Sequence, residues 1–154
     1  MRKVQIGAGG VAPFEFSESA ERFCGENFLE NGKLIGEIKI VGEIVNDDEN
    51  LKIRGKIFCQ RKFTCDRCLS ETEENQIHDF DEELGKSEVV DNLVDITELV
   101  RDTLIISQPI KNLCKIDCKG LCPICGKNLN KGDCECDRFI PDPRLAILQN
   151  FKPN

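Results

Sequence analysis

The sequence predicts an α+β fold: an antiparallel sheet, open or barrel-like, with one main helix and a small C-terminal zinc-ribbon-like cysteine module. Three observations carry this. Apolar and charged residues alternate with a period of two along two neighbouring segments, 34–45 and 51–63. Apolar residues recur at helical spacing after Asp95. Six of the ten cysteines fall between Cys114 and Cys136. The chain accordingly divides into an α+β domain over 1–110, a cysteine-rich metal module over 111–140 and a C-terminal helix or tail over 141–154.

In the first segment Leu34, Ile38, Ile40 and Ile44 share one phase, with Glu37, Lys39 and Glu43 opposite, as in a half-buried strand. Asn46-Asp-Asp-Glu-Asn50 is a polar turn. In the second segment Leu51, Ile53, Ile57, Cys59 and Phe63 share one face, and Lys52, Arg54, Lys56 and Lys62 the other. The short turn makes the pair a hairpin. Residues 70–80 give only a weak strand pattern, and the middle of the acidic stretch 71–98 reads as a loop. Asp95-Ile-Thr-Glu98 reads as a capping box, with Asp95 accepting from free helical amides and Glu98 reaching back. Ile96, Leu99, Val100 and Leu104 follow on one helical face, and Pro109 stops the helix. Asp142-Pro143 opens a short last helix with Leu145, Leu148 and Phe151 on its apolar face.

The cysteines are the chemistry-bearing residues. Cys122-Pro-Ile-Cys125-Gly126 has zinc-knuckle spacing, because two intervening residues let both sulfurs face one ion and glycine tolerates the turn that follows. Cys134 and Cys136 return soon enough to complete a tetrahedron. Their single-residue spacing is tight, so Cys118 could replace one of them, with Cys114 and Cys118 otherwise in reserve. Thiolates favour zinc or an iron–sulfur cluster over magnesium or calcium, and a site with a structural character favours zinc. Cys65-Asp-Arg-Cys68 is a second pair. It reads as a turn pair, as a redox pair with a lowered thiol pKa, or as half of a second site with Cys114 and Cys118; nothing in the sequence says that these four meet. Cys59, in phase with Ile53 and Ile57, belongs to the core. Cys24 is isolated and structural, and His78 reads as a solvated side chain rather than a ligand.

Bulk properties set the class. A chain of 154 residues with 40% hydrophobic residues can build a core, and a net charge of −7 disfavours non-specific attraction to nucleic acid. The start lacks the apolar run of a secretory signal, and no stretch reaches the roughly 18 apolar residues of a membrane helix. Ten thiols then point to a reducing, cytoplasmic setting and to metal binding rather than disulfides. Lys52, Arg54, Lys56 and Lys62, with the lysines between Lys111 and Lys131, form cationic patches that could meet RNA phosphates. Glu71 and Glu73 on a neighbouring strand would neutralise the strand patch by cross-strand pairs. The acidic stretch 71–98 suits a basic protein partner or a solvated surface.

These segments together resemble the YceD family, the large ribosomal RNA subunit accumulation proteins. The resemblance rests on Cys65-Asp-Arg-Cys68-Leu69, the Asp95-Ile-Thr-Glu-Leu helix, Cys118-Lys-Gly-Leu-Cys-Pro-Ile-Cys-Gly126 with Asn128-Leu-Asn130, and Asp142-Pro-Arg-Leu-Ala146. It implies a non-enzymatic factor in synthesis, processing or stability of large-subunit (23S) ribosomal RNA, in a bacterial-type cytosol. Its partners would be ribosomal RNA, a basic large-subunit ribosomal protein, or both. No catalytic residues follow from it. Two other functions are compatible with the residues alone: a thiol-redox protein using Cys65 and Cys68, and a zinc-ribbon nucleic-acid-binding regulator.

Overall fold

The computed structural model describes residues 3–5, 10–24, 29, 32–46, 51–85, 89–138 and 144. In chain order the elements are β1 (Lys3–Gln5), β2 (Gly10–Ser19), α1 (Ala20–Cys24), β3 (Lys33–Asn46), β4 (Leu51–Thr64), β5 (Glu71–Leu84), β6 (Val89–Val90), β7 (Leu93–Asp95) and α2 (Thr97–Ile106). Strands β2-β3-β4-β5 form one antiparallel sheet and β1-β7-β6 a smaller one. Neither closes on itself among the described residues, so the sheet is open rather than a barrel.

The predicted hairpin forms as β3 and β4, paired from Asn46↔Leu51 to Lys33↔Lys62; residues 47–50 lie outside the described residues. Between Ile35 and Lys39 the register shifts: three residues of β3 stand opposite one of β4. Two extra residues are one full pleat period, so Leu34 before the bulge stays on the face of Ile38, Ile40 and Ile44 after it. All four are buried, as are Leu51, Ile53, Ile57, Cys59 and Phe63 of β4. Helix α2 closes this core with Ile96, Val100 and Leu104. It begins one residue later than the capping box implies. Ile96 is the N-cap residue and offers no side-chain acceptor, while Asp95 Oδ1 accepts from the Thr97 amide at 3.0 Å.

The largest departure from expectation is β5. Where the sequence suggests a weak strand running into a loop, a fourteen-residue strand pairs with β4 along its whole length. Its carboxylates are poor strand formers in isolation, but β4 offers cations across the ladder. Lys52–Glu83 (2.7 Å), Lys56–Asp79 (2.7 Å) and Lys62–Glu71 (2.9 Å) are cross-strand ion pairs. Context of this kind overrides intrinsic strand preference. The expected C-terminal helix lies outside the described residues, apart from Arg144. Cys24 ends α1, and its side chain also lies outside them.

Candidate metal centres

Strand β4 runs directly into the turn 65–70, which delivers the chain to β5. The Cys65 amide donates to Ser70 O (2.9 Å) and the Leu69 amide to Cys65 O (2.9 Å). Fifty-seven positions later the same two bonds recur at the same offsets: Cys122 N–H to Lys127 O (2.8 Å) and Gly126 N–H to Cys122 O (2.9 Å). Leu69 (φ 55°) and Gly126 (φ 73°) both take the left-handed conformation that the turn needs. The chain therefore carries two knuckles of one design, each aiming a pair of sulfurs to one side.

Each knuckle meets a second cysteine pair. Cys65, Cys68, Cys114 and Cys118 place their sulfurs within 4.8 Å of one another, and so do Cys122, Cys125, Cys134 and Cys136. In the first group Cys65 Sγ lies 3.8 Å from Cys118 Sγ, and Cys68 Sγ lies 3.6 Å from Cys114 Sγ. Disulfide-bonded sulfurs stand about 2.05 Å apart. A tetrahedron with metal–sulfur bonds of about 2.3 Å has edges of about 3.8 Å, so the spacing fits four thiolates around a single ion. Either group could hold a metal ion.

The arrangement shows which of the cysteines come together. Cys122, Cys125, Cys134 and Cys136 come together as expected. Cys118 does not substitute for any of them; with Cys114 it joins the Cys65–Cys68 pair, which is thus half of a four-sulfur site and not an isolated turn pair. The first centre is the more enclosed: Cys65, Cys68 and Cys118 are buried, whereas Cys125 is exposed and Cys134 and Cys136 are half-buried. His78 is on β5, half-buried, with Nε2 3.2 Å from Gln76 Oε1. It belongs to neither group of sulfurs.

Several residues that the sequence did not single out hold the first centre together. Asp66 and Asn112 exchange two bonds: the Asp66 amide donates to Asn112 O (2.8 Å) and the Asn112 amide to Asp66 Oδ2 (2.7 Å). Arg67 Nη1 donates to Cys118 O at 3.0 Å, and the Leu121 amide donates to Arg67 O at 3.2 Å. Arg61 lies buried on the core face of β4. Its Nη1 donates to Gln108 Oε1 (2.8 Å) and Asn112 Oδ1 (2.9 Å), and its Nη2 to Glu74 Oε1 (2.8 Å). The guanidinium also stacks 4.4 Å from the Phe63 ring centroid. Arg61 thereby ties the chain leaving α2 to the sheet just before that chain supplies Cys114. The signal was available: Arg61 is a cation in phase with Ile57, Cys59 and Phe63.

The two centres also touch. Asn130 Nδ2 donates to Cys118 Sγ (3.3 Å), Asn128 Nδ2 donates to Ser70 Oγ (3.2 Å), and the Leu129 amide donates to Gly120 O (2.9 Å). A side chain at Gly120 (φ 76°) would meet Arg67 O at 3.1 Å, so the close approach of the two knuckles depends on glycine there.

The electrostatics are those of thiolate sites. Burial acts to raise the Cys65 thiol, but the amides of Cys114, Cys68 and Arg67 outweigh it and hold the group down to about 6. The hydroxyl and amide of Ser70 lower Cys68. The amides of Cys125 and Ile124 hold Cys122 down to about 6. Cys114 is pushed up to about 12 by burial and by its neighbouring thiols. Cys136 is pushed up to about 12, first by its bond with Cys125 and then by burial. Each centre thus combines a thiol readily ionised with one that crowding keeps protonated until a cation arrives.

The strand cations read as candidate RNA contacts have carboxylate partners on neighbouring strands. Lys52, Lys56 and Lys62 pair with β5 as above, and Arg54 pairs with Glu43 of β3. No helix among the described residues is long and apolar enough to cross a membrane.

The family described as "Large ribosomal RNA subunit accumulation protein YceD" matches residues 53–152, a span containing both centres. A curated relative, "Large ribosomal RNA subunit accumulation protein YCED homolog 1, chloroplastic" from Arabidopsis thaliana, is 37% identical over 59 residues. That segment covers 38% of this chain and 18% of the relative, so the two share a part and not their full lengths. No solved structure matches the chain.

Proposed function

The chain belongs to the YceD family, and on that basis we propose that it supports the accumulation of large-subunit ribosomal RNA, as a zinc-stabilised binding factor rather than an enzyme. The family match over residues 53–152 is the observation that carries this reading. The name of the plant relative points the same way.

Zinc is the ion the two centres suit best. Four-thiolate tetrahedra are its usual structural sites, and the sulfur spacing of the first centre matches. Cys65, Cys68, Cys114 and Cys118 would hold one ion, and Cys122, Cys125, Cys134 and Cys136 the other. Four protein ligands leave no open position for water or substrate, which favours a structural role over a catalytic one. The buried state of Cys65 also weighs against thiol-redox work, which needs an accessible thiolate. Thiolate sites persist in a reducing compartment, so the reading keeps the protein in the cytoplasm.

RNA contact, in this reading, belongs to the metal module rather than to β4. Lys111, Lys119 and Lys131 are exposed and have no carboxylate partner among the described residues. The acidic face of the sheet suits a basic ribosomal protein. Capture with the metal-loaded chain from cell extract at moderate salt tests the proposal. Enrichment of large-subunit ribosomal RNA or proteins is expected. Recovery of neither would overturn it.

A further inference from the structure

Strand β5 ends the sheet order β2-β3-β4-β5, so one side of its fourteen-residue backbone has no strand partner among the described residues. Such an edge is a template for another strand. Here it also has a hollow on each face. On the outer face a concavity of about 1090 Å³ spans the sheet from Glu15 of β2 across Val41 of β3 and Arg54 and Lys56 of β4, with Asp79 and Asp81 of β5 as its wall on this side. On the other face a groove of about 380 Å³ runs between β5 and α2, with Leu84, Leu99 and Ile106 beside Glu82 and Asp102. Residues 79–81 are the ridge the two hollows share.

We propose that this edge takes up an extended, basic segment of a partner protein as a fifth strand. Alternate side chains of an added strand point to opposite faces, so every second residue would face the groove beside α2 and the others would stand next to Asp79 and Asp81 on the outer face. The groove's aliphatic floor suits an aliphatic side chain. Its rim selects cations: Asp81, Glu82 and Asp102 have no cationic partner among the described residues, in contrast to the paired Asp79. A second copy of β5 is a poor occupant, because pairing two such strands sets carboxylate against carboxylate. RNA is disfavoured by the same charge. The partner's basic character follows from the groove itself; only its identity as a ribosomal protein would rest on the function proposed above.

The test is a titration of the full metal-loaded chain, followed by amide NMR, with a capped peptide of alternating lysine and valine. Two control peptides accompany it: one with glutamate for lysine, and one N-methylated at alternate backbone nitrogens with its charge intact. Binding is expected to perturb amides in 77–84 and along α2. N-methylation, and separately the combined changes Asp81→Lys, Glu82→Lys and Asp102→Lys, should each weaken it at least about tenfold. Equal binding of the N-methylated peptide would reduce the effect to charge alone and overturn the proposal, as would failure to saturate at millimolar peptide. The N-methylated peptide decides the matter even where the triple variant does not fold. The assay contains no ribosomal component, so its outcome is independent of the extract capture.

Discussion

Leu69 holds φ at 55° while its side chain is largely exposed, so packing does not repay the strain of that conformation. Gly126 fills the equivalent place in the second knuckle, and a Cβ there would touch nothing within 4 Å. The difference between the two positions is therefore conformational. Leu69→Gly should stabilise the metal-loaded chain by up to about 1 kcal/mol, and Gly126→Ala should destabilise it by about 1 kcal/mol. Thermal unfolding of both variants checks the pair; a loss at both positions would mean that the Leu69 side chain has a partner role of its own. Arg61 makes the opposite case, a side chain whose contacts are everything. Arg61→Ala removes the donors to Gln108, Asn112 and Glu74. Because Glu74 keeps partial access to water, the expected loss is about 3 kcal/mol, toward the lower end of values for broken buried pairs. Urea denaturation reads the loss. Weaker metal uptake at the first centre should accompany it, since Asn112 aligns the segment leading to Cys114.

Among the elements, the centre of the large sheet turns on two glycines. Gly42 and Gly55 pair directly, and the row across the four strands reads Phe14, Gly42, Gly55, Phe80. A Cβ on Gly55 would stand 2.6 Å from Phe80 Cζ and press on Val41 O; one on Gly42 would stand 2.6 Å from both Arg54 O and Phe14 Cζ. The obstructing oxygens are backbone and cannot step aside. Gly55→Ala should therefore cost about 3 kcal/mol, the upper range for overpacking, and a cost below about 0.5 kcal/mol in urea denaturation would contradict the packing described. This row illustrates what the sequence hides. The β3–β4 hairpin was legible because each strand announces its own face through Ile and Leu. Strand β5 was only weakly legible, because its stability comes from cations on β4; its first ten residues gave a faint strand pattern and the rest ran into what reads as a loop. The flanking β2, with Phe14 and Phe16 alternating against Glu15, carries a short local signal of its own. The second knuckle was legible from spacing alone. The first centre was half legible: its two cysteine pairs are visible, but their meeting depends on Arg61, Asp66 and Asn112, contacts separated by more than forty residues that no local pattern encodes.

For the whole molecule, the two centres determine how the sheet and the C-terminal module become one body. The first draws Cys65 and Cys68 from the sheet's own β4–β5 turn and Cys114 and Cys118 from beyond α2, so an ion there would close a long loop. The second draws only on 122–136 and would staple the ribbon to itself. The chain purified without chelator should carry close to two zinc ions. Cys68→Ser and Cys125→Ser should each leave close to one, and elemental analysis distinguishes this from a shared site, where either change would abolish all metal. Proton linkage gives the sign of the pH dependence. Cys65 and Cys122 lie below the ordinary thiol value, at about 6, so their favourable contribution is complete above that ordinary value and is lost as pH falls through about 6. Cys114 and Cys136, held up to about 12 in the metal-free chain, remain protonated at neutral pH and must give up their protons to bind. Uptake at pH 7 should therefore release at least one proton per centre, and affinity should fall as the solution is acidified. Calorimetry in two buffers of different ionisation enthalpy measures that release; identical heats in both would show that the thiols were already ionised and that crowding among the sulfurs does not govern loading.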